Sequence, residues 1–318
     1  MVTVIRAERK SSGPLTPSSL ACLSAVPTIN LTAGCLHGCA YCYIRSYRNY
    51  PGESTIILYE NTLQKLQDEL VRRRAKPQAV YFSPSSDLFQ PAPEVLELAQ
   101  AVLKFLFSQS IGVAFLTKGY IPADMLHLLI EHAELVRAQI GIISLDEDIV
   151  RAFEPYAASP RRRLQQLEAL IAAGVPTEAR LDPILPTLTD AADAADRLFA
   201  ALAQAGVKRA AAGVLFVRYA ILQSLRRSVS DKEVLASLLD AYRDGQQGLM
   251  RGSPLPIQEP PSEARREIFA RVRAAAQAHG IDLSICACKD PDLARGSCNI
   301  AGTWPRRQAC AVQPLLIS

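Results

Sequence analysis

The sequence predicts an α/β protein built on a parallel sheet, and three observations carry that prediction. Short apolar runs rich in β-branched residues alternate with longer amphipathic stretches, the pattern of βα units. Six such units fit residues 26–218, fewer than a full eight-fold barrel needs. The runs end in short polar segments: Ser83–Asp87, Thr117–Gly119, Ser144–Asp146 and Arg180–Asp182. In parallel barrels those strand ends are where active sites collect. A doubly wound sheet gives the same alternation, so the pattern alone leaves the closure of the sheet open.

Taken in order, residues 1–25 are polar and Pro/Ser-rich and are expected as an irregular arm over the barrel. Cys22 is isolated there and reads as a plain small thiol rather than a ligand. Val26 to Leu31 is the first strand. Leu63, Leu66, Leu70 and Val71 recur at helical spacing, so Asn61 to Arg74 is a helix with Asn61 at its cap. Ala79 to Phe82 is the second strand and Glu94 to Phe107 the next helix. Gly112 to Thr117 is a strand, Pro122 to Leu135 a helix, and Ala138 to Leu145 a strand followed by a helix start at Asp146-Glu147. Arg161 to Ala173 is a helix closed by Gly174, and Thr177 to Leu181 a strand. Asp190 to Ala205 is a helix capped by Asp190, and Ala212 to Phe216 the last clear barrel strand.

Residues 219–318 differ from the barrel. Asp231 to Tyr242 and Ser262 to His279 are helices by pattern, and the Gly- and Pro-rich stretch from Gly245 to Pro261 reads as a linker or loop. Ile281 to Cys288 alternates like a strand and opens a cysteine-rich tail. The organisation expected is an arm at 1–25, a barrel at 26–218 and a C-terminal helical, cysteine-rich extension at 219–318.

Composition bounds the function classes. Hydrophobic residues make up 49% and charged residues 21% of 318, values of a soluble globular chain. The net charge of 35 − 31 = +4 permits a nucleic-acid partner without arguing for one. No run approaches a membrane span, and the N-terminal residues lack the apolar core of a secretory signal. Eight cysteines in that setting read as metal or catalytic thiols in a reducing compartment, so a cytoplasmic location is expected.

The chemistry concentrates at Cys35, Cys39 and Cys42, a C-x3-C-x2-C loop after the first strand. Clustered thiolates select zinc or iron–sulfur over calcium or magnesium. The spacing is unlike the paired cysteines of zinc sites. Three thiolates hold three corners of a cubane and leave one iron open, unlike the four-cysteine electron carriers.

With the aromatic Tyr41 before the third cysteine, this loop resembles the signature of radical S-adenosylmethionine (SAM) enzymes. The stretch Asn30 to Tyr43 resembles the spore photoproduct lyase-like branch. The resemblance covers roughly residues 26–218 and implies an open partial (β/α)6 TIM-type barrel, which agrees with the unit count. It implies a [4Fe-4S] cluster on Cys35, Cys39 and Cys42, SAM on the open iron, a 5′-deoxyadenosyl radical, and a reductant such as flavodoxin or ferredoxin. In that branch a Ser-Asp pair, a Lys and a Ser after successive strands contact the SAM end. Ser86-Asp87, Lys118 and Ser144 stand at the matching places. Plainer readings are a turn or cap pair for Ser86-Asp87 and a solvated lysine for Lys118. The resemblance makes Tyr43 a candidate in hydrogen-atom relay and Tyr41 a neighbour of the adenine, with loop packing as the rival role of Tyr41. His37 is placed to stiffen the loop by hydrogen bonding. One departure stands out: the hydrogen-donor cysteine that spore photoproduct lyases carry near the Ser-Asp pair is absent from Phe82–Asp87.

The tail adds Cys286, Cys288, Cys298 and Cys310, read first as a second iron–sulfur cluster, then as structural zinc, then as hydrogen donation. Lys289 and Arg295 stand ready to offset cluster charge. Arginine runs at Arg72–Arg74, Arg161–Arg163, Arg226-Arg227 and Arg265-Arg266 invite a nucleic-acid face, but fall on different helices. Three functions compete: a radical SAM lyase for a nucleic-acid lesion, a radical SAM enzyme for a small molecule, peptide or RNA, and a zinc-binding nucleic-acid module without catalysis.

Overall fold

The computed structural model describes residues 2–11, 13–18, 20–249, 255–294, 302 and 304. The chain opens with β1 (Thr3–Ala7), β2 (Thr28–Ile29), β3 (Thr32–Ala33) and β4 (Thr55–Tyr59). The repeating units follow as α1 (Thr62–Arg72), β5 (Ala79–Phe82), α2 (Pro93–Ser108), β6 (Gly112–Thr117), α3 (Ala123–Glu131) and β7 (Val136–Gly141). Then come α4 (Glu147–Phe153), α5 (Pro160–Ala172), β8 (Thr177–Ile184), α6 (Ala192–Gln204) and β9 (Arg209–Val214). The last part holds α7 (Tyr219–Ser228), α8 (Lys232–Asp240), β10 (Gln246–Leu249), β11 (Pro256–Glu259), α9 (Ser262–Ala278) and β12 (Asp282–Ile285).

Seven strands form one parallel sheet in the order β12-β9-β8-β7-β6-β5-β2. It is open, with β2 and β12 as its edges, and it forms the partial TIM-type barrel that was expected. Alternation along the strands sorts side chains to two faces. Val80, Phe82, Val113, Phe115, Ile140 and Leu181 join the large core shared with the helices. The intervening Ala79, Tyr81, Ala114 and Ala211 point the other way and pack with Leu23 and Val26 of the N-terminal arm. Three of those four inner residues are alanines, which leaves the inner face room for a segment of chain.

The structure corrects the expected elements in four places. The arm is not wholly irregular, since β1 pairs in parallel with β4 in a small separate sheet with β3. The stretch from Gly245 to Pro261 contains the antiparallel pair β10–β11 instead of a bare loop. Asp190 does not cap α6, whose N-cap is Ala191; it pairs instead with Arg271 of α9. A charge-assisted bond to a cation outcompetes a cap to neutral N–H groups. The strand expected at Ile281 to Cys288 is the shorter β12, and instead of standing apart in the extension it joins the main sheet as an edge beside β9. The caps at Asp146 and Asp231 do form, each side chain accepting from two backbone N–H groups of the first turn.

Candidate active site

The cysteine loop leaves β3 and needs two left-handed glycines, Gly34 (φ 85°) and Gly38 (φ 66°). A Cβ at Gly34 would sit 2.6 Å from the Thr55 carbonyl oxygen, so the loop could not lie this close to β4 with any other residue there. Gln90 holds the loop from below. Its Oε1 accepts from Leu36 N at 2.8 Å, and its Nε2 donates to Thr32 Oγ1 and to Ser86 Oγ, each at 2.9 Å. The Ala40 amide donates to the Phe153 carbonyl at 2.8 Å, and Arg45 donates to the Cys39 carbonyl at 3.0 Å.

Cys35, Cys39 and Cys42 line one cavity at the C-terminal ends of the parallel strands. Burial raises all three thiols above the ordinary cysteine range; the nearby Asp87 adds to the effect at Cys35 and Glu154 at Cys39. Such thiols keep their protons at neutral pH until a cation takes their place, so loading a metal here releases protons. Three soft donors on one loop fit a cluster with an open iron.

The residues singled out beside the loop take distinct places. Asp87 is buried, with both carboxylate oxygens in use: Oδ1 accepts from Phe89 N at 2.8 Å and Thr117 Oγ1 at 2.7 Å, and Oδ2 from Lys118 N at 3.0 Å. His37 Nε2 lies 3.2 Å from Oδ2, so the histidine does stiffen the loop. Burial pushes the Asp87 carboxyl up, but His37 and the backbone donors together hold it below its ordinary value. Ser86 Oγ donates to the Gly34 carbonyl at 2.9 Å and braces the loop's first turn. Lys118 extends across Gly141, where a Cβ would meet its Cγ at 2.9 Å. Its Nζ donates to the Asp182 carbonyl at 3.1 Å and lies 5.7 Å from the Tyr41 ring. Ser144 Oγ accepts from Asp146 N at 3.0 Å, at the start of α4.

Tyr41 lines the cavity, but its hydroxyl donates to Glu154, which is ion-paired to Arg163 at 2.5 Å with both charged side chains fully buried. Burial alone would raise Glu154; Arg163 and Lys118 bring it below its ordinary value. Tyr43 donates to the Pro84 carbonyl and stacks edge-on with Tyr47 at 5.7 Å. Burial raises both tyrosine hydroxyls well above the usual phenol range, so both stay protonated.

The same cavity is lined by a second set of thiols. Cys286 and Cys288 follow β12, and Cys22 reaches the wall from the arm. The Cys288 thiol hydrogen-bonds with the side chains of both Cys22 and Cys286. The plain reading of Cys22 as an isolated thiol therefore gives way, because the arm folds inside the barrel. Lys289 pairs with Asp182, which also takes two bonds from Arg180 at 2.9 and 3.1 Å. Cys298, Cys310 and Arg295 lie outside the described residues. The arginine runs do not form one face: Arg163 and Arg265 are buried in ion pairs, while Arg226 and Arg227 are exposed. Nothing in the sequence pattern pointed to Glu154 or to its pairing with Arg163; Asp182 stood only within the strand end Arg180–Asp182, and Cys22 only as an isolated thiol.

An open parallel barrel with three thiols of one loop at its mouth defines a class, and comparison with known proteins agrees. The chain belongs to the radical SAM superfamily, whose family description matches residues 29–198. Among solved structures, spore photoproduct lyase complexed with dinucleoside spore photoproduct shares the fold at a TM-score of 0.65 and 17% identity, over 88% of this chain and 81% of that one. An uncharacterised protein of Mycobacterium tuberculosis is 28% identical over 188 residues, 56% of this chain and 55% of that protein. The radical SAM Nalpha-GlyT isomerase of a Pseudomonas phage is 25% identical over 153 residues, 48% of this chain and 32% of its own length. The match thus spans little more than half of the mycobacterial relative. Among the described residues no helix is long and apolar enough to cross a membrane.

Proposed function

We propose that this chain binds a [4Fe-4S] cluster through Cys35, Cys39 and Cys42 and uses SAM to start radical chemistry on a nucleic-acid lesion. The observation that carries the reading is the convergence of these three thiols on one cavity with Lys118. When bound, the cluster and SAM supply a one-electron cleavage that yields a 5′-deoxyadenosyl radical and methionine. The protein's own residues position and enclose that chemistry. Asp87 and Ser86 brace the loop, Lys118 offers a point charge to a carboxylate, and Tyr41 and Tyr43 wall the cavity with protonated phenols. Ser144 bonds the start of α4 and is not among the residues that line the cavity, while Tyr43 lines it and is the candidate for hydrogen relay. A flavodoxin or ferredoxin of the cytoplasm supplies the electron.

The nucleic-acid substrate rests on the likeness of the fold to that of spore photoproduct lyase. The missing donor cysteine at Phe82–Asp87 separates this chain from the photoproduct lyases in how the product radical is quenched. A second reading, modification of a small molecule, peptide or RNA beside an auxiliary cluster, draws its support from Cys22, Cys286 and Cys288 in the same cavity.

The test is anaerobic incubation of the reconstituted full chain with dithionite and SAM, with and without a dinucleoside spore photoproduct. The expected result is 5′-deoxyadenosine in both cases and loss of the lesion in the second. No 5′-deoxyadenosine overturns the enzyme reading. 5′-Deoxyadenosine with an untouched lesion overturns the substrate and leaves the radical chemistry standing.

A further inference from the structure

Among the described residues the cysteines fall into two sets, the loop of Cys35, Cys39 and Cys42 and a second set of Cys22, Cys286 and Cys288, and all six line one cavity. The second set is assembled by tertiary structure. β12 runs parallel to β9, and the Cys286 amide continues the ladder by donating to the Ala212 carbonyl at 2.9 Å. The chain then turns back on itself: Lys289 N and Asp290 N both donate to the Cys286 carbonyl, at 3.2 and 2.9 Å. Cys286 and Cys288 flank that turn, buried to 2% and 4% exposure. Gly213 of β9 makes the room, since a Cβ there would lie 3.2 Å from Lys289 Cδ and 3.6 Å from Cys286 Cβ.

Cys22 arrives from the other end of the chain. Leu23 N donates to the Leu20 carbonyl at 2.9 Å, and Leu23 packs with Tyr81, Ala114 and Ala211 on the inner face of the sheet. The turn anchored in this way brings Cys22 against Cys288, whose thiol bonds both the side chain and the backbone of Cys22, besides the side chain of Cys286. Cys22 is half-buried and the most open of the three thiols.

We propose that Cys22 and Cys288 form a reversible disulfide site in the wall of the cavity, which a small disulfide oxidant such as glutathione disulfide enters at Cys22 and Cys288 resolves. Thiols in direct contact are placed for chemistry between sulfurs, and exchange needs an accessible sulfur with a second one beside it. In the first step the deprotonated Cys22 sulfur attacks one sulfur of the oxidant, whose S–S bond breaks and releases one glutathione. In the second, the deprotonated Cys288 sulfur attacks Cys22 and displaces the other glutathione. The two protein thiols lose two electrons, the oxidant gains them, and the two protons given up end on the two glutathione thiols. A thiol reductant runs the same steps backward. Cys286 is the most buried of the three and is fixed in the ladder by its amide, so it is shielded from the oxidant and stays a thiol. Disulfides in a reducing compartment are mostly transient ones with catalytic or sensing roles. This one would tie the arm inside the barrel to the turn after the edge strand β12, where the reduced chain relies on packing and hydrogen bonds alone.

The inference goes beyond the proposed activity and does not depend on it. The test uses the full chain, reconstituted anaerobically with iron and sulfide, treated with glutathione disulfide, blocked with N-ethylmaleimide and digested for mass spectrometry. A peptide pair joined through Cys22 and Cys288 is expected, with Cys286 carrying the blocking group and the link lost in dithiothreitol. On a non-reducing denaturing gel the oxidised chain should run faster than the reduced one, because the link closes a loop from residue 22 to residue 288. Cys288→Ser should trap glutathione on Cys22, and Cys286→Ser should leave the link intact. A link between Cys286 and Cys288, or glutathione trapped on Cys286, overturns the assigned pair. Blocking of all three thiols after oxidation, or all three held by iron, overturns the site. If a variant does not fold, the peptide map of the unaltered chain decides by itself. A chain that forms the link and gives no 5′-deoxyadenosine with SAM after reduction would sink the enzyme reading and leave this site standing.

Discussion

The two groups of thiols facing this cavity are built in opposite ways. Cys35, Cys39 and Cys42 come from one loop, shaped by two glycines and held by Gln90, His37 and Asp87. Cys22, Cys286 and Cys288 come from the two ends of the chain and meet only because the arm enters the barrel and β12 joins the sheet. The first group needs local geometry; the second needs the whole fold. A local motif therefore specifies how the chemistry starts, while the tertiary assembly decides what else shares the cavity.

The comparison breaks most sharply at Cys39. Cys39→Ala should bring 5′-deoxyadenosine formation to background, measured by chromatography against the wild type in one set of samples. Activity surviving this change would mean that the loop is not the catalytic centre.

Next in size is the buried support of the loop. Glu154→Ala removes the partner of Arg163, whose side chain has 0% exposure, and should cost about 3–5 kcal/mol in a denaturant titration. A cost below about 1 kcal/mol would show that the pair is wet and the loop braced by other means.

A smaller effect separates the two walls by charge. Lys118→Met removes a cation able to bond a carboxylate, an interaction worth about 1.5–3 kcal/mol, so SAM should bind ~10–100-fold more weakly in equilibrium dialysis. Unchanged affinity would return Lys118 to a role in bonding the Asp182 carbonyl alone.

The smallest effect is on pH. Glu154 titrates below its ordinary value in the folded chain, as burial is outweighed by Arg163 and Lys118. Its contribution to stability is therefore complete above the unfolded carboxylate value of about 4.3 and is lost as pH falls through the lower folded value. Denaturant midpoints of the wild type should fall with acid more steeply than those of Glu154→Gln. Parallel curves would contradict the assignment.

Much of this was legible in the sequence for a physical reason. Strands such as Gly112–Thr117 and Ala79–Phe82 are short, apolar and bounded by turn residues, so period and punctuation locate them. The loop of Cys35, Cys39 and Cys42 is readable because its spacing is its structure. Cys22 was not, because its partners at Cys286 and Cys288 follow from β12 pairing with β9, a nonlocal choice that no window of sequence contains. Glu154 and Arg163 were hidden for a different reason: charged residues at and near helix ends ordinarily face solvent, and these two are fully buried. Asp190 misled in a different way: it has the chemistry of a cap, and only the position of Arg271 on α9 shows that it serves another helix.

The central claim is that the loop at Cys35, Cys39 and Cys42 starts SAM radical chemistry. It is tested most directly by supplying dithionite and SAM to the anaerobically reconstituted chain and to Cys39→Ala. The account predicts 5′-deoxyadenosine and methionine in equal amounts from the wild type and neither from the variant. Absence of both products from the wild type, or their formation by Cys39→Ala, would contradict it.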